Sequence, residues 1–158
     1  MSEPKLRSVR MSDEEAWTFL ADAHTGILTT LRRDGVPIAL PIWFAAVDRR
    51  IYVSTRGKKL GRVRNDPRAS FLVEAGERWA ELQAVHLTGR ARVLDAVDEN
   101  LQRRIAEEMT RKYASSQTAT KAMPKATRDH YTTSSGGTIE FVPDDRMLTW
   151  DNNHLGLS

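Results

Sequence analysis

Short runs of β-branched and aromatic residues, punctuated by Gly, Pro and Asp-Gly, fill most of this chain, and helix-period stripes interrupt them at three places. The first stripe follows Ser12-Asp13-Glu14-Glu15, a capping box with Ser12 as N-cap and Glu15 reaching back from N3. It carries Trp17 and Leu20 on one face and is expected to end near His24, with Gly26 as its stop. Gly26 to Leu31 reads as a strand, Asp34-Gly35 marks a hairpin turn, and Val36 to Ala46 is the return strand. Pro37 and Pro41 cannot both sit in a fully paired central strand, so part of that strand must be an edge or a bulge. Unpaired backbone groups around Pro41, Ile42 and Trp43 would suit a flat heteroaromatic ring. A capped sheet edge accounts for the same residues equally well.

The second stripe lies inside the most informative stretch. Ile51 to Ser54 suits a pleated, half-buried surface, and Gly57 breaks it. Lys58 to Asn65 then forms about two helical turns, with Leu60 and Val63 facing inward and Lys59, Arg62 and Arg64 facing water. Pro67 ends the helix by pushing Asp66 out of the α region, and Phe71 to Val73 restarts as a strand. Ser54, Thr55, Lys58 and Lys59 thus place hydroxyls, backbone N–H groups and two ammonium groups at a strand end beside a helix N-terminus. That environment suits a phosphate. A plain solvated charged face fits the same pattern.

From Trp79 to Leu94 a long strand alternates Val85, Leu87, Ala91 and Val93 against His86, Thr88, Arg90 and Arg92, with Gly89 permitting a bend. The third stripe, Val97, Leu101, Ile105, Met109 and Tyr113, predicts a helix over 97–113, capped by Asp95, with Arg103-Arg104 and Arg111-Lys112 exposed. Residues 114–137 are rich in Ser, Thr, Ala and Lys and read as a mobile excursion with room for one short helix. Lys121, Lys125 and Arg128 there could fold over an anionic ligand or simply be solvated, and His130 lies in the same segment. Thr138 to Val142 and Met147 to Asp151 read as further strands. Residues 1–11 form an N-terminal arm, 12–151 a single domain, and 152–158 a tail.

The 158 residues suffice for one domain with a real core. The absence of cysteine removes disulfides, thiolate metal sites and cysteine nucleophiles, and a cytoplasmic location is the default expectation. No 18-residue apolar run predicts a membrane span, and the start lacks a signal-peptide core. A net charge of +3 permits an anionic ligand without the dense basic patch expected of a nucleic-acid binder. The four histidines, His24, His86, His130 and His154, lack metal-ligand spacing. No GxGxxG, Walker A loop, GxSxG elbow or carboxylate pair is present, and no catalytic side chain stands out. A phosphate cradle without a triad suggests that a cofactor supplies the reactivity.

Gly26-Ile27-Leu28-Thr29-Thr30-Leu31, Asp34-Gly35-Val36-Pro37, Pro41-Ile42-Trp43-Phe44, the Tyr52 strand, and Lys59 followed by Arg64-Asn65-Asp66-Pro67-Arg68-Ala69-Ser70 occur in this order. In that order the chain resembles the pyridoxamine 5′-phosphate oxidase-like split-barrel proteins, a flavin and deazaflavin reductase superfamily. The resemblance implies a mostly β, α+β fold: a six-stranded antiparallel split β-barrel of the FMN-binding kind with flanking helices. It also implies a homodimer with two cofactor sites at its interface. Lys58 and Lys59 would hold the cofactor phosphate, Val53, Ser54 and Thr55 would assist, and the backbone of Pro41, Ile42 and Trp43 would run beside the isoalloxazine-type ring. Leu40 stands where the vitamin B6 oxidases carry arginine, and Thr149 to His154 lacks their arginine pattern, which argues against pyridoxamine phosphate oxidation. The Trp43-Phe44 strand looks more like the branch using the deazaflavin coenzyme F420, whose anionic tail would meet Arg56, Arg62 and Arg64. An F420-dependent reductase acting on an unsaturated, quinone-like or tetrapyrrole small molecule is the first expectation. FMN in the same site is the alternative, and a non-enzymatic cofactor or haem carrier is the third.

Overall fold

A computed structural model describes residues 8–133 and 136–157, except for the side chains of residues 120 and 130–133. The expectations for the start of the N-terminal arm, for Ser134-Ser135 and for the His130 side chain lie outside the described residues. The elements in chain order are α1 (Asp13–Asp22), β1 (Gly26–Leu31), β2 (Pro37–Ile42), β3 (Ala45–Val47), β4 (Arg50–Arg56), α2 (Lys58–Asn65), β5 (Arg68–Ala75), β6 (Gln83–Leu94), α3 (Glu99–Tyr113), α4 (Lys125–Thr133) and β7 (Gly136–Asp151). Short 3₁₀ turns cover 79–81, 120–122 and 152–155.

One antiparallel sheet of 7 strands runs β2-β1-β5-β6-β7-β4-β3. Its two edge strands are consecutive in the chain and joined only by Trp43 and Phe44. The sheet therefore curls until its edges meet at that corner. The count is seven rather than the six expected, because the return strand breaks at Trp43-Phe44 instead of running unbroken from Val36 to Ala46. The proline argument holds: β2 pairs with β1 alone, so Pro37 and Pro41 lie on an edge.

The curled sheet encloses Leu28, Ile51, Val53, Phe71, Val73, Val85, Leu87, Ile139 and Phe141. Ala16 and Leu20 of α1 join this core, as do Leu60 and Val63 of α2, the pair expected from their three-residue spacing. Ser12 accepts the N–H of Glu15 at 3.2 Å, as the capping box requires. Gly26 is not a helix stop. The helix ends at Asp22, and Gly26 opens β1, where an added Cβ would overlap the Phe71 ring.

Along β6 the inward set Val85, Leu87 and Ala91 is buried, as the alternation predicts. The strand begins at Gln83 because Trp79–Glu81 forms a 3₁₀ turn. Register with β7 shifts between Leu87↔Met147 and Gly89↔Pro143. A Cβ on Gly89 would overlap the Val142 carbonyl, so glycine is what allows the two strands to approach there. This irregularity is also why 138–142 and 147–151 read as separate strands; they are parts of β7. Asp98, not Asp95, caps α3, accepting the Leu101 N–H at 3.0 Å. The α3 stripe packs Leu101, Ile105 and Met109 on Ala45, Val47 and Tyr52, covering the outer side of the β3 edge. At the start of the described chain the Val9 carbonyl accepts the Asp151 N–H at 2.6 Å, and Met11 is buried. No helix among the described residues is long and apolar enough to cross a membrane.

Candidate cofactor site

β4 ends in Ser54, Thr55 and Arg56, and Gly57 turns the chain into α2 with φ 74° and ψ −141°, a conformation side chains disfavour. Gly57 offers no side-chain cap, and at the start of α2 the Leu60 N–H donates back to the Gly57 carbonyl at 3.2 Å. β7 begins directly alongside, with Ser54 opposite Thr138, Thr55 opposite Gly137 and Arg56 opposite Gly136. Together Ser54, Thr55, Arg56, Lys59, Gly136, Gly137 and Thr138 line an open cleft of about 590 Å³.

Among the described residues no carboxylate lines this cleft. Two cations, three hydroxyls and two glycines that leave the backbone approachable make it receptive to a phosphate. The Gly136 and Gly137 contribution was missed in the sequence because Ser-Ser-Gly-Gly looks like a loop end; only strand pairing with β4 shows its partner. Val53 lies inward, 1% exposed, behind the cleft wall rather than in it. Lys59 faces the cleft, whereas Lys58 lines a separate groove on another flank of α2.

Pro41, Ile42 and Trp43 do not line the cleft. Pro41 is exposed on the open edge of β2, Ile42 is buried, and Trp43 begins the corner. The corner is held by α3. The Phe44 N–H donates to the Tyr113 hydroxyl at 3.0 Å, that hydroxyl donates to the His24 carbonyl at 2.7 Å, and Lys112 Nζ donates to the Phe44 carbonyl at 2.9 Å. Trp43 stacks on the Tyr113 ring at 4.4 Å and 7°, with His24 edge-on at 5.6 Å. The backbone groups of Phe44, which follows the Pro41 to Trp43 stretch, are thus taken by α3. Lys112, expected to be an exposed charge, is half-buried, and burial followed by the neighbouring Arg111 charge lowers its pKa to about 8.

On the outer face of the sheet, Glu140 is 3% exposed and accepts from Tyr52 Oη at 2.9 Å, Arg92 Nε at 2.8 Å and Arg50 Nη1 at 3.3 Å. Burial raises its pKa, but the hydrogen bonds from Tyr52 and Arg92 and the two guanidinium charges outweigh that and hold it below the usual value. The same burial and the same carboxylate push Tyr52 up to about 12. The group is fully partnered and reads as structural.

Fold and cleft together define a split β-barrel with an anion-receptive strand end. The chain belongs to the pyridoxamine 5′-phosphate oxidase family, whose sequence pattern matches residues 12–134. Among solved structures it is similar to a conserved hypothetical protein from Mycobacterium tuberculosis, with 26% identity over 99% of this chain and 94% of that one, at a TM-score of 0.76. An FAD-binding protein from Mesorhizobium loti has 20% identity over 88% of this chain and 94% of that one, at a TM-score of 0.65. The haem storage protein HutZ from Vibrio cholerae has 12% identity over 87% and 94%, at a TM-score of 0.64. The last two show the shared fold. No curated protein matches the chain.

Proposed function

We propose that this protein is an oxidoreductase that holds the phosphate of a flavin-type cofactor in the Ser54–Lys59 cleft, with coenzyme F420 as first choice and FMN as the alternative. The observation that carries the reading is the cleft itself, where Ser54, Thr55, Arg56 and Lys59 converge with Gly136, Gly137 and Thr138. When bound, the cofactor supplies the hydride chemistry. The chain's own work is binding and orientation, because the described lining consists of hydroxyls, cations and glycine backbone rather than a histidine or carboxylate. Lys59 and Arg56 neutralise the phosphate, Ser54, Thr55 and Thr138 donate hydroxyls, and the α2 N-terminus adds backbone N–H groups. The substrate would be an unsaturated, quinone-like or tetrapyrrole molecule stacked on the cofactor ring.

A homodimer belongs to the same proposal. Among the described residues the cleft in one chain is lined by polar residues and glycine, without an apolar wall for a tricyclic ring. The open β2 edge with Pro41, Ile42 and Trp43 could supply that wall from a second copy. The outer face of β6 and β7, with its 3₁₀ flanks, leaves Trp79, Leu148 and Trp150 at 63%, 63% and 42% exposed, an apolar surface suited to a partner. The second reading, FMN, draws support as a flavin from the FAD-binding protein among the structural neighbours.

The test is a fluorescence-quench titration of the wild type and of Lys59→Ala with F420 and, in parallel, with FMN. Tight F420 binding that Lys59→Ala weakens about tenfold or more supports the first reading. A preference for FMN, equally sensitive to Lys59, moves the protein to the second. Binding of neither, or affinity unchanged in Lys59→Ala, overturns the assignment of the cleft.

A further inference from the structure

His154 belongs to the 3₁₀ turn 152–155 and has an acceptor at each ring nitrogen. Nδ1 lies 3.2 Å from the Ser8 carbonyl. Nε2 lies 3.2 Å from the Glu15 carboxylate and 3.6 Å from that of Asp151. Carbonyl and carboxylate oxygens only accept, so each side needs an N–H on the ring. A neutral imidazole carries one N–H and leaves its other nitrogen facing an acceptor with a lone pair. An imidazolium carries two and satisfies both sides. The contacts are those of the protonated ring.

The surrounding charges agree. Asp151 accepts from Gln83 Nε2 at 3.0 Å, Asn153 Nδ2 at 2.8 Å and the Asn153 N–H at 2.9 Å. Burial raises its pKa, but these bonds outweigh that and hold it below the usual value, so an anion faces the ring. Glu15 has no other ion-pair partner among the described residues. On the neighbouring elements, Glu14 adds a second α1 carboxylate, Arg10 is the one charge in arm residues 8–11, and Glu81 of the 79–81 turn is paired with Arg78.

The ring thus joins the N-terminal arm, α1 and the turn after β7. The arm has two other ties to β7: the Met11 N–H donates to Thr149 Oγ1 at 3.0 Å, and the Asp151 N–H donates to the Val9 carbonyl at 2.6 Å. Met11, Glu15, Asp151 and His154 all line a cavity of about 930 Å³ where α1 meets the ends of β5 and β6. When the ring loses a proton, the remaining N–H stays on Nε2, because a bond to a carboxylate is stronger than one to a carbonyl. The Ser8 contact is the one given up.

We infer that His154 is a proton-operated clasp: as an imidazolium it fastens the arm and α1 to the turn after β7, and as neutral imidazole it releases the arm and opens the cavity beside Met11.

Amide exchange read by nuclear magnetic resonance across about pH 5 to 8 tests it, each rate being divided by its unstructured-peptide value at the same pH. In the wild type, protection of the Met11 and Asp151 amides falls about three- to tenfold as pH rises. In His154→Gln it stays at the high-pH level throughout. In Glu15→Gln the step survives and its midpoint moves down by about 0.2–0.7 pH unit, because one carboxylate no longer favours the charged ring. If His154→Gln does not fold, the wild type and Glu15→Gln carry the test. Flat protection in the wild type, a step that persists in His154→Gln, an unmoved midpoint in Glu15→Gln, or an equal loss across β1 and β5 overturns the proposal. No cofactor enters the measurement, so its outcome is separate from that of the Ser54–Lys59 cleft.

Discussion

Replacing Tyr113 by phenylalanine isolates the bond that sets the barrel corner. The Tyr113 side chain is fully buried, and its hydroxyl accepts the Phe44 N–H at 3.0 Å while donating to the His24 carbonyl at 2.7 Å. Tyr113→Phe keeps the ring that stacks on Trp43 and removes only the oxygen. The Phe44 carbonyl retains Lys112 Nζ at 2.9 Å, and His24 is exposed enough for water to reach its carbonyl. The Phe44 N–H, in a residue 0% exposed, is left without a partner. An orphaned buried donor costs about 1–3 kcal/mol. For a domain of this size each kcal/mol lowers Tm by about 2–4 °C. Urea denaturation followed by far-UV circular dichroism, with tryptophan fluorescence recorded alongside, measures the loss. A midpoint shift equivalent to less than about 0.5 kcal/mol would refute the reasoning, because it would mean that the corner closes without the hydroxyl.

Lys112 makes the barrel corner pH-sensitive. Its folded pKa of about 8 lies below its ordinary 10.5, so the unfolded chain binds more protons between those values and stability rises with pH there. Discounted for the partial exposure of Lys112, the gain is of order 1–2 kcal/mol and is best read between pH 8 and 10, before Tyr52, held at about 12, acts in the opposite sense. Lys112→Met should flatten that rise in Tm-against-pH curves; an unchanged slope contradicts it. Glu140 has a lowered pKa, so its contribution is present above the ordinary carboxyl range and is lost as pH falls through the folded value. Glu140→Gln should therefore cost about 1.5–3 kcal/mol at pH 7 and less in acid, in urea titrations at both pH values. Gly26→Ala forces a methyl into the Phe71 ring and should destabilise by about 1–3 kcal/mol, read as a lower urea midpoint; a neutral result would show that β1 and β5 part easily.

Elements whose cause is local were legible in advance. The capping box at Ser12, the Leu60 and Val63 pair, the α3 stripe, the edge prolines and the β6 alternation each follow from a period or a dihedral constraint carried by nearby residues. The cleft proposed for a phosphate was half legible for the same reason, since Ser54, Thr55 and Lys59 lie within six positions of one another. Its other half, Gly136 to Thr138, lies about eighty residues away and joins only through the β4–β7 ladder. Lys58 and Lys59 are neighbours in sequence, yet about 100° apart around a helix, so they serve different cavities.

The sequence by itself determined the periods, caps and breaks, and with them the class of fold and the strand end proposed to receive an anion. Only the tertiary structure decided that the two sheet edges meet at Trp43-Phe44, that Tyr113 and Lys112 close that corner, and which cations share a cavity. The physical reason is range: dihedral preferences and side-chain periodicity act over a few residues. Strand partners, burial and the charge facing a given cleft are set by residues that only the folded barrel brings together.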